Sequence, residues 1–247
     1  MKIVVLVAGV HDPKWPVTPD AVLAGESDHR IMSPFDEAAL EMALRVRDAQ
    51  PATSIAVRVA GGEASAKIAR AVAALRISDL AAFSCQHPWD QATMARALAP
   101  LCQGADMVLI GREFGDFDDG LVPAMLAGIV CWPFFGRAQT IDAGAGVQLM
   151  REAGSHVESL TLSGPLVASV TNDRRTRLRK PLMKNVMEAR QAEIGMVPAK
   201  VPPSPGLSLD GLLPCVNSRA GTDCAMLDGP PHVQAQALAD ILWEGRA

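Results

Sequence analysis

The chain has 247 residues and a formal net charge of −4 at pH 7. This length fits one large α/β domain, or a domain with an appendage, and the apolar content is sufficient for a sizeable core. No apolar run approaches the length of a membrane span, and the acidic balance gives no general attraction to nucleic acid or to anionic membranes.

The five cysteines are too irregularly spaced for a zinc site or a disulfide framework, so we expect reduced thiols. Residues 2–8 form a short apolar run that Pro13 and Pro16 follow closely. A signal peptide has a longer apolar region and a small-residue cleavage pattern, so this run predicts a buried first strand instead. Together these features predict a cytoplasmic protein.

A helix is predicted to begin after an irregular segment, residues 11–33, that is rich in Pro, Asp and Gly. Ser33 suits the N-cap, Pro34 suits the first helical position, and Asp36 and Glu37 favour the positive end of the helix. Apolar positions continue the helix to about Arg47.

Strands and helices then alternate along the chain. Apolar patterns predict strands at 54–59, 80–83 and 107–110 and helices at 65–75, 90–102 and 121–130. This alternation predicts an α/β fold with a mostly parallel sheet and right-handed crossovers. In such sheets ligands bind beyond the carboxyl ends of strands, so the acidic loop 111–120 is the first candidate for a nucleotide-type site.

The pattern changes after Pro133. Residues 137–141, 146–151 and 156–162 are predicted strands of an antiparallel extension, and 166–171 is a further central strand. A helix is predicted at about 181–192. The Pro-, Gly- and Ser-rich segment 198–231 predicts an extended arm that lies on a partner, and an amphipathic helix at 233–243 closes the chain.

Residues 174–184 carry six basic side chains, namely Arg174, Arg175, Arg177, Arg179, Lys180 and Lys184. Such a basic stripe could steer an acidic partner, or it could be a solvated surface. No aromatic residues are interleaved with it, so we do not expect nucleic-acid binding.

Three segments, in this order, resemble the beta subunit of electron transfer flavoproteins: the Ser-Pro-Phe-Asp-Glu helix start at 33–45, the strand, acidic loop and Trp-Pro of 106–133, and the Pro-Leu-Met-Lys-Asn segment at 181–190. The resemblance implies a Rossmann-like, adenine nucleotide alpha hydrolase-like domain over residues 1–195. Residues 196–247 would form the C-terminal arm and a terminal helix that packs on a partner subunit.

The resemblance also implies an electron-carrier subunit with no bond-breaking chemistry of its own. Its partner in a heterodimer would be an alpha subunit that holds most of one FAD. The pair would carry electrons from a flavin-dependent dehydrogenase to a membrane quinone reductase, and the chain itself would not be embedded in a membrane. We do not expect the electron-bifurcating variant of the family, because a second FAD needs phosphate-binding positions that are altered here.

In this family the beta subunit also buries an AMP. By resemblance, the cofactor-binding positions are Leu6, Ala8, Ser33, Pro34, Phe35, Val59, Gly111, Arg112, Asp116, Gly120, Leu121 and Val122. Common members have Asn-Gln-Thr where this chain has residues 120–122, and the next residue, Pro123, has no N–H. Asp118 and Asp119 precede them. Carboxylates oppose a phosphate, so we hypothesise that AMP binding is weakened or lost. The rival interpretation is that backbone N–H groups alone hold the phosphate.

The aspartates before residue 121 have a simpler interpretation as caps of the following helix, which is compatible with either view. Met183 falls where the family has a leucine that docks into partner dehydrogenases, and Lys184 replaces the proline that follows it. Met183 could keep the docking role, since methionine is apolar and adaptable, or it could pack against its own helix. Met183 and Lys184 are therefore the candidate partner-docking residues.

Two other functions remain open at this stage. One is a stand-alone adenine-nucleotide sensor with the same fold, although such a monomer has no surface for the arm to cover. The other is a hydrolase or ligase, which needs a phosphate loop that the sequence does not show. The histidines are scattered among predicted loops and strand ends, and no residue is nominated as catalytic or as a metal ligand.

Overall fold

A computed structural model describes residues 1–15, 29–61, 65–85, 89–117, 119–144, 146–198, 201 and 226–244. The chain divides into two compact units, Met1–Asp210 and Gly211–Ala247. The described strands, in chain order, are β1 (Lys2–Ala8), β2 (Val10–His11), β3 (Arg30–Ile31), β4 (Ser54–Ala60), β5 (Asp79–Phe83), β6 (Met107–Gly111), β7 (Phe134–Ala138), β8 (Thr140–Asp142), β9 (Gln148–Ala153), β10 (His156–Thr161), β11 (Leu166–Val170) and β12 (Gly195–Val197).

The described α-helices are α1 (Pro34–Ala49), α2 (Ala66–Ala73), α3 (Gln91–Leu98), α4 (Leu121–Val130), α5 (Met183–Ala189) and α6 (Pro231–Glu244). Short 3₁₀ turns lie at Ala99–Cys102 and Arg174–Thr176. Helix α6 belongs to the second unit and the other helices to the first.

A seven-stranded sheet in the order β12-β5-β4-β1-β6-β11-β7 forms the centre of the first unit. Every neighbouring pair in it is parallel. The sheet has a core on each face: Ile3, Val5 and Val7 pack with α1 and α2, and Val4 and Leu6 pack with α3 and α4. Strand β1 is apolar at every position from 3 to 8 because both of its faces are covered.

The predicted α/β fold with a mostly parallel sheet is confirmed, and the described strands and helices follow the predicted order closely through α4. Ser33 caps α1 as expected, since its Oγ accepts a hydrogen bond of 3.0 Å from the Asp36 N–H. The antiparallel extension is the separate sheet β10-β9-β8, and β2 and β3 form a two-stranded ladder.

Three elements differ from the sequence-based expectation. The predicted strand 137–141 is two strands: Arg137 has a left-handed φ of 57°, and the chain leaves the parallel sheet at Ala138 before β8 begins at Thr140. Helix α5 is shorter than 181–192, because Leu182 is extended and provides no side-chain cap. Strand β12, at the edge of the sheet, had no sequence signal. The predicted arm, residues 198–231, lies largely outside the described residues.

Candidate functional site

The carboxyl ends of the central strands meet the start of α1 and the acidic loop at one edge of the sheet. Strand β1 runs parallel to both β4 and β6, and Ala8 lies beside Ala60 at the end of that register. A β-carbon on Gly115 would lie 4.0 Å from the Ala8 side chain, so the acidic loop returns over the end of β1. The structure therefore places the sequence-predicted positions of β1, β4, α1 and the loop near one another at the carboxyl ends of the strands.

Not all of these positions can present a side chain to a ligand. Leu6 and Val59 are fully buried, Leu6 in the core on the α3 and α4 face and Val59 in the core on the other face. Ser33 is also buried and acts as the cap of α1, whereas Pro34 is exposed and Phe35 is half-buried. Leu6 and Val59 therefore shape the site from within the core.

Asp116 is held by the chain itself. Its Oδ2 lies 2.5 Å from an Arg30 guanidinium nitrogen, and its Oδ1 accepts a hydrogen bond of 2.8 Å from the His11 N–H. The Arg30 guanidinium also donates to the Gly9 carbonyl. These contacts fix the acidic loop to the β2–β3 ladder, so Asp116 has a structural partner on each oxygen.

Arg112 covers the ring of Phe35. Its guanidinium carbon lies 5.1 Å from the ring centroid, which is within the range of a cation–π interaction. The same guanidinium donates to Glu113 Oε1 at 3.1 Å. The two sequence-predicted positions, Phe35 and Arg112, thus contact each other.

The start of α4 is also occupied by a side chain of the protein. Asp119 Oδ1 accepts a hydrogen bond of 3.0 Å from the Leu121 N–H, and Asp119 Oδ2 accepts one of 2.6 Å from Gln91 Nε2 at the start of α3. The bond from Gln91, followed by that from Leu121, lowers the pKa of Asp119. Gly120 has a left-handed φ of 71°, which glycine adopts without strain. Asp118 lies outside the described residues.

Asp36 lies in the first turn of α1 and is fully buried. Burial raises the pKa of its carboxyl group to about 8, while Ser33 and the backbone of Ala8 lower it in part. Neither carboxyl oxygen completes a hydrogen bond with any residue that the structure describes. A β-carbon on Gly111 would lie 3.0 Å from Asp36 Oδ1, so the absence of a side chain at Gly111 makes room for this carboxyl group.

These residues do not fit a nucleotide phosphate. A phosphate at a helix N-terminus needs backbone N–H groups and small polar side chains. At α4 the Leu121 N–H already bonds to a carboxylate, Pro123 has no N–H, and Val122 is an apolar side chain that is 2% exposed.

A second surface surrounds α5. Leu182 and Met183 are 72% and 74% exposed, and Met187 lies nearby on the same helix with half of its side chain in solvent. Lys184 is exposed and lies 3.9 Å from Glu188. The alternative in which Met183 packs against its own helix does not describe this side chain, because so much of it is in solvent.

Two members of the basic stripe are held within the protein. Arg175 contacts Asp173 and Glu152, and Arg179 contacts Glu41 and Asp48. The stripe is therefore partly a structural ion-pair network. Arg174, Arg177, Lys180 and Lys184 are exposed, and Lys184 lies on α5 itself.

The sequence indicated neither the hydrogen-bond partners of Asp116 and Asp119 nor the burial of Asp36. Gln91 and Arg30 lie far from the loop in sequence and reach it only through the fold. The sequence predicts only that Asp36 favours the positive end of α1, and the structure shows in addition that it is fully buried. Its spacing could have indicated this, since Asp36 lies four residues before Leu40 on the apolar side of α1.

Within the described ranges, no group of three or more His, Cys, Asp or Glu residues is arranged to hold a metal ion. Among the helices of the same ranges, none is both long and apolar enough to cross a membrane.

The chain matches the family model described as "Electron transfer flavoprotein domain" over residues 20–202. It is 31% identical over 211 residues to the mitochondrial electron transfer flavoprotein subunit beta of Oryza sativa subsp. indica, covering 80% of this chain and 81% of that protein. The Sus scrofa subunit beta is 31% identical over 68% of each chain. The Mycobacterium leprae subunit beta is 28% identical over 71% of this chain and 69% of its own.

Proposed function

This chain belongs to the electron transfer flavoprotein beta subunit family, and on that premise we propose that it is the beta half of a heterodimeric electron carrier. The observation that carries the proposal is the relationship to subunit beta proteins over most of both chains. In this role an alpha subunit holds most of one FAD, and the flavin supplies the redox chemistry. The beta chain contributes binding surface and breaks no bond itself.

The surface around α5 is the proposed docking site for the electron donor. Leu182 and Met183 form an exposed apolar pair, and the exposed cations Lys180 and Lys184 flank it in sequence. An apolar centre with a charged rim is typical of transient protein interfaces, because the rim speeds encounter and the centre provides the contact. This arrangement supports a flavin-dependent dehydrogenase with an acidic rim as the donor.

The finer features of the proposal follow from the same family membership. We propose a membrane quinone reductase as the acceptor, a cytoplasmic location, and a C-terminal arm and terminal helix that pack on the alpha subunit. Helix α6 is compatible with such packing, since Leu238, Ile241 and Leu242 are about half exposed or more. AMP binding is proposed to be weakened or absent.

Co-expression with an alpha subunit from the same genome tests the proposal. We expect a stable one-to-one heterodimer that is yellow from bound FAD and that a flavin-dependent dehydrogenase reduces. Each chain expressed alone serves as the control. A beta chain that stays monomeric and colourless beside a folded alpha subunit contradicts the proposal.

The alternative function is a stand-alone adenine-nucleotide sensor. It requires the isolated chain to bind an adenine nucleotide saturably without an alpha subunit. The contacts at the start of α4 disfavour it, because Asp119 already occupies the first helix N–H.

A further inference from the structure

At the start of α4 lies a carboxylate of the protein itself, the side chain of Asp119. Both oxygens of Asp119 accept hydrogen bonds, one from the Leu121 N–H at 3.0 Å and one from Gln91 Nε2 at 2.6 Å. A carboxylate at this position satisfies a helix N–H and complements the positive end of the helix dipole. A nucleotide phosphate bound at the same helix end would use the same two features.

The carboxylate also opposes a phosphate by charge. Asp119 is ionised at neutral pH, and its hydrogen bonds lower its pKa further. A second anion at the same helix end would be disfavoured by charge repulsion. Gln91 holds the carboxylate in place from a different helix, so rotation of Asp119 away from the site breaks a hydrogen bond.

The aromatic face of Phe35 is covered in a similar way by Arg112, whose Cγ lies 4.0 Å from the position of a β-carbon on Gly120, next to Asp119. Arg112 lies over the Phe35 ring at 5.1 Å, and Glu113 fixes the guanidinium at 3.1 Å. A base that stacked on this face of Phe35 would have to displace a charged group from both partners.

We infer that this chain occupies the nucleotide site of its family with its own side chains, Asp119 in place of a phosphate and Arg112 in place of a base, and so folds and assembles without a nucleotide. The inference rests on the proposed function, because the AMP in question is the one that membership of the family implies. It adds that Asp119 excludes the phosphate of the nucleotide and that Arg112 excludes the base.

The first test measures the bound nucleotides of the purified heterodimer. The complex is denatured, and FAD and AMP are separated by chromatography and quantified. We expect FAD without AMP. One AMP per heterodimer overturns the inference and leaves the proposed function intact, whereas failure to form a flavin-containing heterodimer contradicts the proposed function itself.

The second test replaces Asp119 and Arg112 separately. Calorimetry then measures the binding of AMP and of adenosine to each heterodimer. Asp119→Asn keeps an oxygen for the Leu121 N–H but removes the charge, so we expect its affinity for AMP to rise about tenfold or more and its affinity for adenosine to stay unchanged. Arg112→Ala should raise the affinity for adenosine, and for AMP the gain should be smaller, because the variant also loses a cation beside Gly120.

Asp142→Asn is the matched control. Asp142 Oδ1 accepts a hydrogen bond of 3.0 Å from the Gly144 N–H, the same local arrangement as at Asp119, but it lies on β8. This variant should bind AMP as weakly as the wild type does. Wild-type affinity for AMP equal to that of Asp119→Asn overturns the inference, as does an equal gain for adenosine in that variant.

Discussion

Arg179 Nε lies 3.0 Å from Glu41 Oε2, although 138 residues separate the two in sequence. Glu41 is 5% exposed, and it also accepts hydrogen bonds from the Arg179 backbone N–H at 3.1 Å and from Arg45 Nε at 3.2 Å. These contacts fasten the segment before α5 to α1. The orientation of the exposed α5 surface therefore depends on a nearly buried carboxylate.

Replacing Glu41 with Gln should destabilise the fold by about 2 kcal/mol, less than for a fully buried pair because Arg179 is partly in water. Burial raises the pKa of Glu41, but the hydrogen bonds from Arg179 and Arg45 outweigh it, so the pKa lies below its usual range. This contribution is present at neutral pH and is lost as the pH falls through the folded-state pKa. Urea denaturation measures the loss, and Glu37→Gln on the same helix is the control. Equal stabilities of the two variants would contradict the prediction.

Asp36 should make the protein less stable as the pH rises. Its pKa is about 8 in the folded protein and 3.8 in its ordinary state, so the folded state binds a proton more tightly between these values. The contribution of the Asp36 proton to stability is fully present below about pH 4. It declines as the pH rises to about 8, by about 1.4 kcal/mol per pH unit at most. Asp36→Asn should remove this decline and exceed the wild type in stability by up to about 5 kcal/mol at pH 8.

Denaturation of both proteins at a series of pH values measures the effect of Asp36. Glu37→Gln removes a carboxylate from the same helical turn and should leave the pH dependence unchanged. A constant difference between Asp36→Asn and the wild type at every pH would show that the carboxyl group is not the source of the decline.

Gly111 and Gly128 should respond to alanine in opposite directions. A β-carbon on Gly111 would lie 3.0 Å from both Asp36 Oδ1 and the Glu113 carbonyl and 3.1 Å from the Phe35 β-carbon. We expect Gly111→Ala to cost about 1–3 kcal/mol from this crowding. Gly128 is inside α4 with nothing within 4 Å of a β-carbon, so Gly128→Ala should stabilise the protein by about 0.5–1 kcal/mol. Thermal denaturation of the two variants compares them directly, and a loss of stability in both would contradict the prediction for α4.

Met183→Asp should weaken reduction of the heterodimer by its donor dehydrogenase without changing its flavin content. The side chain is 74% exposed, so the substitution should change stability by less than about 0.5 kcal/mol. We expect KM for the heterodimer to rise about tenfold with little change in kcat, because the loss is in docking. Val157→Asp on β10 replaces another apolar side chain, 67% exposed, and should leave KM unchanged. Similar KM values for the two variants would place the docking site elsewhere.

The sequence by itself determined the central architecture, because apolar runs and caps act over a few residues. Strand β1 is apolar throughout since both faces of the sheet are covered, and Ser33-Pro34 marks the start of α1 by its own hydrogen bond and fixed φ. The motifs at 33–45, 106–133 and 181–190 also indicated the family, and the match over residues 20–202 agrees with them.

Only the tertiary structure decided how the candidate site is filled. The contacts of Asp119 with Gln91, of Asp116 with Arg30, and of Glu41 with Arg179 join residues that are 28, 86 and 138 positions apart. Local sequence does not predict such long-range pairs, because their geometry depends on how whole helices and strands pack. For the same reason the sequence shows only that Asp36 suits a helix start, whereas the fold buries it fully.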